Sequence, residues 1–132
     1  DIPYEVEVTM SGDGRTLLIQ PLERGGVIRI FGRVDFRPGV LTTIRERDQA
    51  LSNLEAQIES ALVSTRTVYS FVDDSGNTAE FGDAIGALAE YRIYANDFSR
   101  RELLDGLIEV EKTLGYIESR SESVAEEWQN NT

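Results

Sequence analysis

Apolar and polar residues alternate at the start of the chain. Tyr4, Val6, Val8 and Met10 fall on one side, and Glu5, Glu7 and Thr9 on the other. A period of two with one apolar side predicts a half-buried strand. Ser11-Gly12-Asp13-Gly14 supplies turn residues that tolerate positive φ. Thr16 to Gln20 then returns as a second strand, stopped by Pro21. A second turn at Glu23-Arg24-Gly25-Gly26 leads into the longest alternating run, Val27 to Phe36. One face of this run carries Ile28, Ile30, Val34 and Phe36, and the other carries Arg29, Phe31, Arg33 and Asp35. Gly32 interrupts the apolar face, which marks a bulge or a close approach. Three strands joined by short turns predict an antiparallel meander.

The period changes after Arg37-Pro38-Gly39, which ends the sheet run. Thr43-x-x-Glu46 matches a capping box, and Ile44, Leu51, Leu54, Ile58 and Leu62 follow on one helical stripe, predicting a helix from Thr43 to about Val63. Arg66 to Asp73 is rich in β-formers and Asp74-Ser75-Gly76-Asn77 is a turn. Tyr91, Ile93 and Ala95 alternate with Arg92, Tyr94 and Asn96, predicting a strand from about Ala87 to Ala95. Ala84 to Glu90 alone reads equally as a weak helix. Ser99-x-x-Glu102 is a second capping box, with Phe98 and Leu103 at the staple positions. The helix it opens carries Leu103, Leu107, Val110, Leu114 and Ile117 on one face, with Leu104 and Ile108 beside it. Gly106 suggests close packing there, and Gly115 a stop or a bend. Val124 and Trp128 continue the spacing into an acidic tail, residues 119–132, that reads as helical or frayed.

The predicted order is β-β-β-α-β-β-α: an α+β fold with a five-stranded antiparallel sheet and two helices, all in one domain spanning residues 1–132. Two helices are too few to clad both faces of five strands, so helices on one face only are expected. The length of 132 residues, with 40% hydrophobic and 28% charged, fits a single domain with a normal core.

Charge narrows the partners. The net charge is −11, and residues 41–132 carry most of it. Such a chain repels phosphate backbones and anionic lipid, so neither nucleic acid nor membrane is expected as a partner. Lys112 is the only lysine among 13 basic residues. Acid-rich, lysine-poor composition arises from adaptation to high salt or from GC-rich coding. Cysteine and histidine are both absent. That excludes disulfides, thiol chemistry, Ser-His-Asp machinery within the chain and the usual zinc sites. A chain without cysteine suits the cytoplasm, which is the expected location.

Chemistry-bearing clusters are few. Asp73, Asp74, Asn77 and Glu80 offer oxygens to a hard cation, but without the spacing of a calcium loop, and they read better as a solvated turn. The glycines at 12, 14, 25 and 26 lead into no helix with Lys and Ser/Thr, so they are turn glycines, not phosphate loops. Glu109, Glu111, Glu118, Glu122, Glu126 and Glu127 read as a soluble helix face. No catalytic residue, metal ligand or cofactor is therefore assigned. Arg29, Phe31 and Arg33 share the strand face turned away from the predicted helices, and Arg and aromatics are enriched at interfaces. They are the candidate partner-binding residues, set against a plain reading as a solvated face.

The meander, the Thr43–Val63 helix, the Thr67–Asp73 strand and the run from Tyr91 to Leu104, with Asp97-Phe98-Ser99 leading into a Leu-rich helix, together resemble the type III secretion chaperone-like superfamily. The resemblance spans most of the chain and carries no site motif. It implies a small acidic homodimer that binds extended segments of a protein client. The expected function is thus a non-catalytic protein-binding module, chaperone-like or adaptor. The rival expectation is a small carboxylate-based enzyme or a metal- or ligand-binding domain.

Overall fold

The computed structural model describes residues 5–10, 14–21 and 26–130. Tyr4, the turn residues Ser11 to Asp13 and Glu23 to Gly25, and the side chain of Ile44 lie outside what is described. Five strands form one antiparallel sheet: β1 (Val6–Thr9), β2 (Thr16–Pro21), β3 (Val27–Asp35), β4 (Val68–Val72) and β5 (Gly86–Tyr94). Their spatial order is β1-β2-β3-β5-β4, so the last strand inserts between β3 and β4. Gly14 and Gly26, at the ends of the two hairpin turns, both have positive φ, the conformation that glycine adopts without steric cost.

Among the described residues three α-helices complete the fold: α1 (Pro38–Arg45), α2 (Asp48–Leu62) and α3 (Arg100–Asn130). The single helix expected from Thr43 is therefore two. Pro38, read as a breaker, opens α1, where its missing N–H leaves no helical bond unmade. Thr43 is no N-cap: it sits in the last turns of α1, and its hydroxyl donates to the Gly39 carbonyl at 2.9 Å. The break falls at Glu46-Arg47, where Arg47 is extended and lends α2 no side-chain cap. Ala50, Leu54 and Ile58 form the buried stripe of α2.

At the second capping box, the Glu102 amide donates to Ser99 Oγ at 3.0 Å, so the cap forms as its sequence predicts. The Glu102 carboxylate instead accepts from Tyr91 Oη and pairs with Arg66 at 3.4 Å. Helix α3 continues through Gly115 to Asn130, so that glycine neither stops it nor ends it. At 1.5 Å per residue α3 is roughly 45 Å long, more than the roughly 24 Å width or 30 Å length of the sheet. Its C-terminal part is covered by the other helices: Val124 and Ala125 are buried with Val40 of α1, and Arg47 lies 5.6 Å from the Trp128 ring.

The core lies between the sheet and α3. Leu17, Ile30, Ala89 and Ile93 meet Leu107, Val110, Leu114 and Ile117, all nearly or fully buried. Gly32 stays in regular register opposite Ala89, so it makes no bulge. A Cβ at that position would fall 2.6 Å from Leu17 Cδ2 and 2.8 Å from Leu114 Cδ1, so the glycine marks a close approach of side chains. Gly106 does the same from the helix side: its Cβ would fall 2.6 Å from Ile30 Cδ1 and 2.7 Å from the Tyr91 ring. By contrast, a Cβ at Gly115 would meet nothing within 4 Å.

The two helical glycines therefore predict opposite outcomes of one substitution. Gly115→Ala is expected to raise stability by up to about 1 kcal/mol through helix propensity. Gly106→Ala gains the same propensity but forces apart a packed contact, at a cost of about 1–3 kcal/mol, and is expected to lower stability. Urea unfolding of both variants checks the signs; equal shifts would contradict the packing.

Candidate interaction surface

Alternation and register sort the sheet residues into two faces. The inner face, toward α3, holds Leu17, Ile30, Gly32, Val34, Ala87, Ala89, Tyr91 and Ile93. The outer face holds the residues between them. Across the sheet these align in rows set by the ladders. One row runs Glu7, Leu18, Phe31, Glu90, Val68. The next contains Gln20, Arg29 and Arg92, with Glu5 bonded to Gln20 at 3.2 Å. A third contains Arg33, Leu88 and Ser70. The helix contacts run through the inner face: α3 lies on β3 and β5, and α1 and α2 lie beside α3.

Arg29, Phe31 and Arg33 all sit on the outer face, side by side along β3. The structure also shows what holds them. The Arg29 guanidinium lies 3.9 Å above the Phe31 ring and pairs with Glu90 across the β3–β5 ladder. Glu90 is shared, since Arg92 also reaches it at 2.6 Å. Arg33 pairs with Asp35 at 2.7 Å on its own strand. Arg29 and Arg92 are cross-strand neighbours, and the carboxylate between them offsets the repulsion that two like charges would suffer there. The arginines are thus oriented by their neighbours.

Two shallow hollows flank this row. One, of about 400 Å³, is mainly apolar and is lined by Leu18, Phe31 and Leu88 with Glu7, Thr16 and Arg33 at its rim. The other, of about 460 Å³, is lined by Arg66, Val68, Glu90, Arg92 and Tyr94. Val68 is 71% exposed and Tyr94 57%, high values for large apolar side chains in a sheet. Both hollows are open, and neither gathers several acids around an enclosed space.

Sequence reasoning left open whether Tyr69 and Phe71 or Val68 and Val72 face away from the helices, and the register puts Val68 there; it missed Leu18, Leu88, Glu90 and Arg92 as members of this surface. The alternation of β5 puts Glu90, Arg92 and Tyr94 on one face, but only the insertion of β5 beside β3 brings that face next to Arg29 and Phe31. The acidic turn at Asp73 has a local use: Asp73 Oδ1 accepts from the amides of Ser75 at 2.9 Å and Asn77 at 3.0 Å, and Gly76 takes the positive φ.

A polar seam on the inner face was also not foreseen. Thr67 and Thr113 bond at 2.6 Å, Thr65 joins Thr67 at 2.9 Å, and Thr65 donates to Glu109 at 2.9 Å, stitching the segment that leads into β4 to α3. Nearby, Tyr91 is buried, donates to Glu102 and carries Arg66 5.0 Å above its ring. Burial and the bond to Glu102 push the Tyr91 hydroxyl up to about 12, against the pull of Arg66. Between pH about 10 and about 12 the unfolded chain therefore loses a proton that the folded chain keeps. Stability is expected to fall across that window, by up to about 1.4 kcal/mol per pH unit from this group. Tyr91→Phe is expected to flatten that part of the alkaline unfolding curve; an unchanged slope would place the proton elsewhere.

No known protein family and no curated protein matches the sequence. Among solved structures, an uncharacterized protein from Methanothermobacter thermautotrophicus is similar in fold, with a TM-score of 0.68 at 12% identity over 96% of this chain and 80% of that one. That likeness extends to the fold and no further. Among the described residues, no helix is long and apolar enough to cross a membrane.

Proposed function

We propose that this chain is a non-catalytic protein-binding module, of chaperone-like or adaptor use, whose binding surface is the outer sheet face around Arg29, Phe31 and Arg33. One observation carries the reading: α3 lies on the inner face and α1 and α2 lie beside it, so the outer face keeps a half-buried Phe31, Leu18 and Leu88 at its centre and an exposed Val68 and Tyr94 at its side. Apolar area of this kind gains free energy when a partner removes it from water. The arginines around it are already oriented, which lowers the entropy lost on binding. The open hollows favour a protein over a small molecule, since ligand pockets enclose most of what they bind.

The test uses the full chain, immobilised, against native lysate at low and at molar KCl. Proteins retained by the wild type are expected to be lost with Phe31→Asp and with Leu88→Asp. Retention of the same proteins by both variants would remove the surface from the account. A specific thermal stabilisation of several degrees by a metal ion or nucleotide would favour the carboxylate-based enzyme instead.

A further inference from the structure

We infer that the protein partner of the outer face is acidic where it docks: it seats an apolar side chain in the hollow of Leu18, Phe31 and Leu88 and sets carboxylates on the arginines to either side. This deepens the reading of that face as a protein-binding surface and rests on it. The way the arginines are held carries it. Arg29 and Arg92 meet Glu90, and Arg33 meets Asp35, each of the three through its Nε. Their terminal Nη groups form no hydrogen bond with any of the described residues. All of a guanidinium's N–H donors except the one on Nε sit on those groups. Each fork is therefore fixed at its base and open at its tip. The tips are within reach of a partner, since Arg29 is 27% exposed, Arg33 36% and Arg92 53%.

Local charge decides which acceptor suits these donors. Over β3 and β5 the outer face holds Arg29, Arg33 and Arg92 against Asp35 and Glu90, an excess of one positive charge in a chain of −11. Glu5 and Glu7 stand at β1, two strands away from β3, so the fit for carboxylates is confined to β3 and β5. A carboxylate accepts two parallel bonds from one guanidinium fork, and such charged bonds are stronger than neutral ones. Glu90, Asp35 and, for Arg29, the Phe31 ring already restrict the side chains, which lowers the cost of ordering them. The acids elsewhere on the chain oppose an acidic partner, but salt screens charges more than roughly 8–10 Å apart, farther than a contact at the forks.

The spacing defines the complement. Phe31 lies midway between Arg29 and Arg33 on β3, and four residues of strand span roughly 13 Å. Arg92 is directly opposite Arg29, with Cα atoms about 5 Å apart in such pairs. The apolar hollow lies between these levels, with Arg33 at its rim. The complement is thus an apolar side chain with carboxylates on both sides, more of them toward Arg29 and Arg92. A nucleic acid fits poorly, because its charges run on past the arginines into the field of an acidic chain.

Fluorescence anisotropy of the full chain with labelled synthetic peptides, at roughly physiological salt, tests this. One peptide carries a leucine between paired glutamates, and a second replaces every glutamate by glutamine. Part-exposed ion pairs contribute modestly each, so the glutamate peptide is expected to bind about fivefold to tenfold more tightly than the glutamine peptide. Arg29→Gln with Arg33→Gln is expected to abolish that preference in a protein whose thermal melt shows it folded. Arg92→Gln, at the most exposed of the three, is expected to reduce the preference and serves where the double variant is unstable. Equal binding of the two peptides overturns the inference, and so does a preference that survives all three substitutions. Competition by a single-stranded oligonucleotide as effective as by the glutamate peptide also overturns it. The broader protein-binding reading falls separately, only if Phe31→Asp retains every protein that the wild type retains from lysate.

Discussion

Truncating Leu114 to alanine is expected to cost about 3–5 kcal/mol of folding free energy, a large part of the stability of a domain this size. Leu114 is fully buried at the centre of the α3 stripe, and its Cδ1 lies against the bare backbone of Gly32. A leucine truncated in a close-packed core leaves a cavity that its neighbours fill only in part. The same contact predicts a partial rescue. Gly32→Ala alone pushes a Cβ to within 2.6 Å of Leu17 and 2.8 Å of Leu114 and is expected to destabilise by about 1–3 kcal/mol. With Leu114 shortened, that Cβ occupies the cavity and Leu17 has room to turn. The double variant is expected to be about 1–2 kcal/mol more stable than the sum of the single losses, measured by denaturant unfolding. Strict additivity would mean that the two residues do not share this space.

Much of this fold is legible in local pattern, because local chemistry decides it. The alternation of Val27 to Asp35 names both faces of β3 before any partner strand is known. Ser99 caps α3 because a hydroxyl at that position reaches an otherwise unpaired amide. The misreadings occur where tertiary contacts outweigh local preference. Thr43 and Glu46 have capping-box spacing, yet Pro38 starts a helix earlier and leaves Thr43 inside it. Gly115 is a poor helix residue, but α3 runs on because Ile117, Ser121 and Val124 are buried beyond it. Glu102 has the right spacing to complete its capping box, and is drawn off by Tyr91 and Arg66.

The candidate surface was legible in the same uneven way. Arg29, Phe31 and Arg33 follow from one strand and a period of two. Glu90 and Arg92, which orient and flank them, depend on β5 slotting between β3 and β4, and no residue near Glu90 announces that pairing. Likewise, the threonine seam joins residues 46 positions apart in sequence at Thr67 and Thr113.

Ile30 and Phe31 are neighbours in sequence on opposite faces of β3, one fully buried and one beside the open hollow. Placing an aspartate at each, in turn, asks directly whether the sheet is clad on one side only. Ile30→Asp buries a carboxylate against Gly106 and α3 and is expected to cost more than about 4 kcal/mol, enough to unfold the chain near room temperature. Phe31→Asp is expected to lose no more than about 1–2 kcal/mol, the ring's partial burial and its contact with Arg29, and to remain folded. Unfolding free energies of the two variants in dilute solution, differing by several kcal/mol in that order, would agree with a bare outer face; comparable losses at both positions would contradict it.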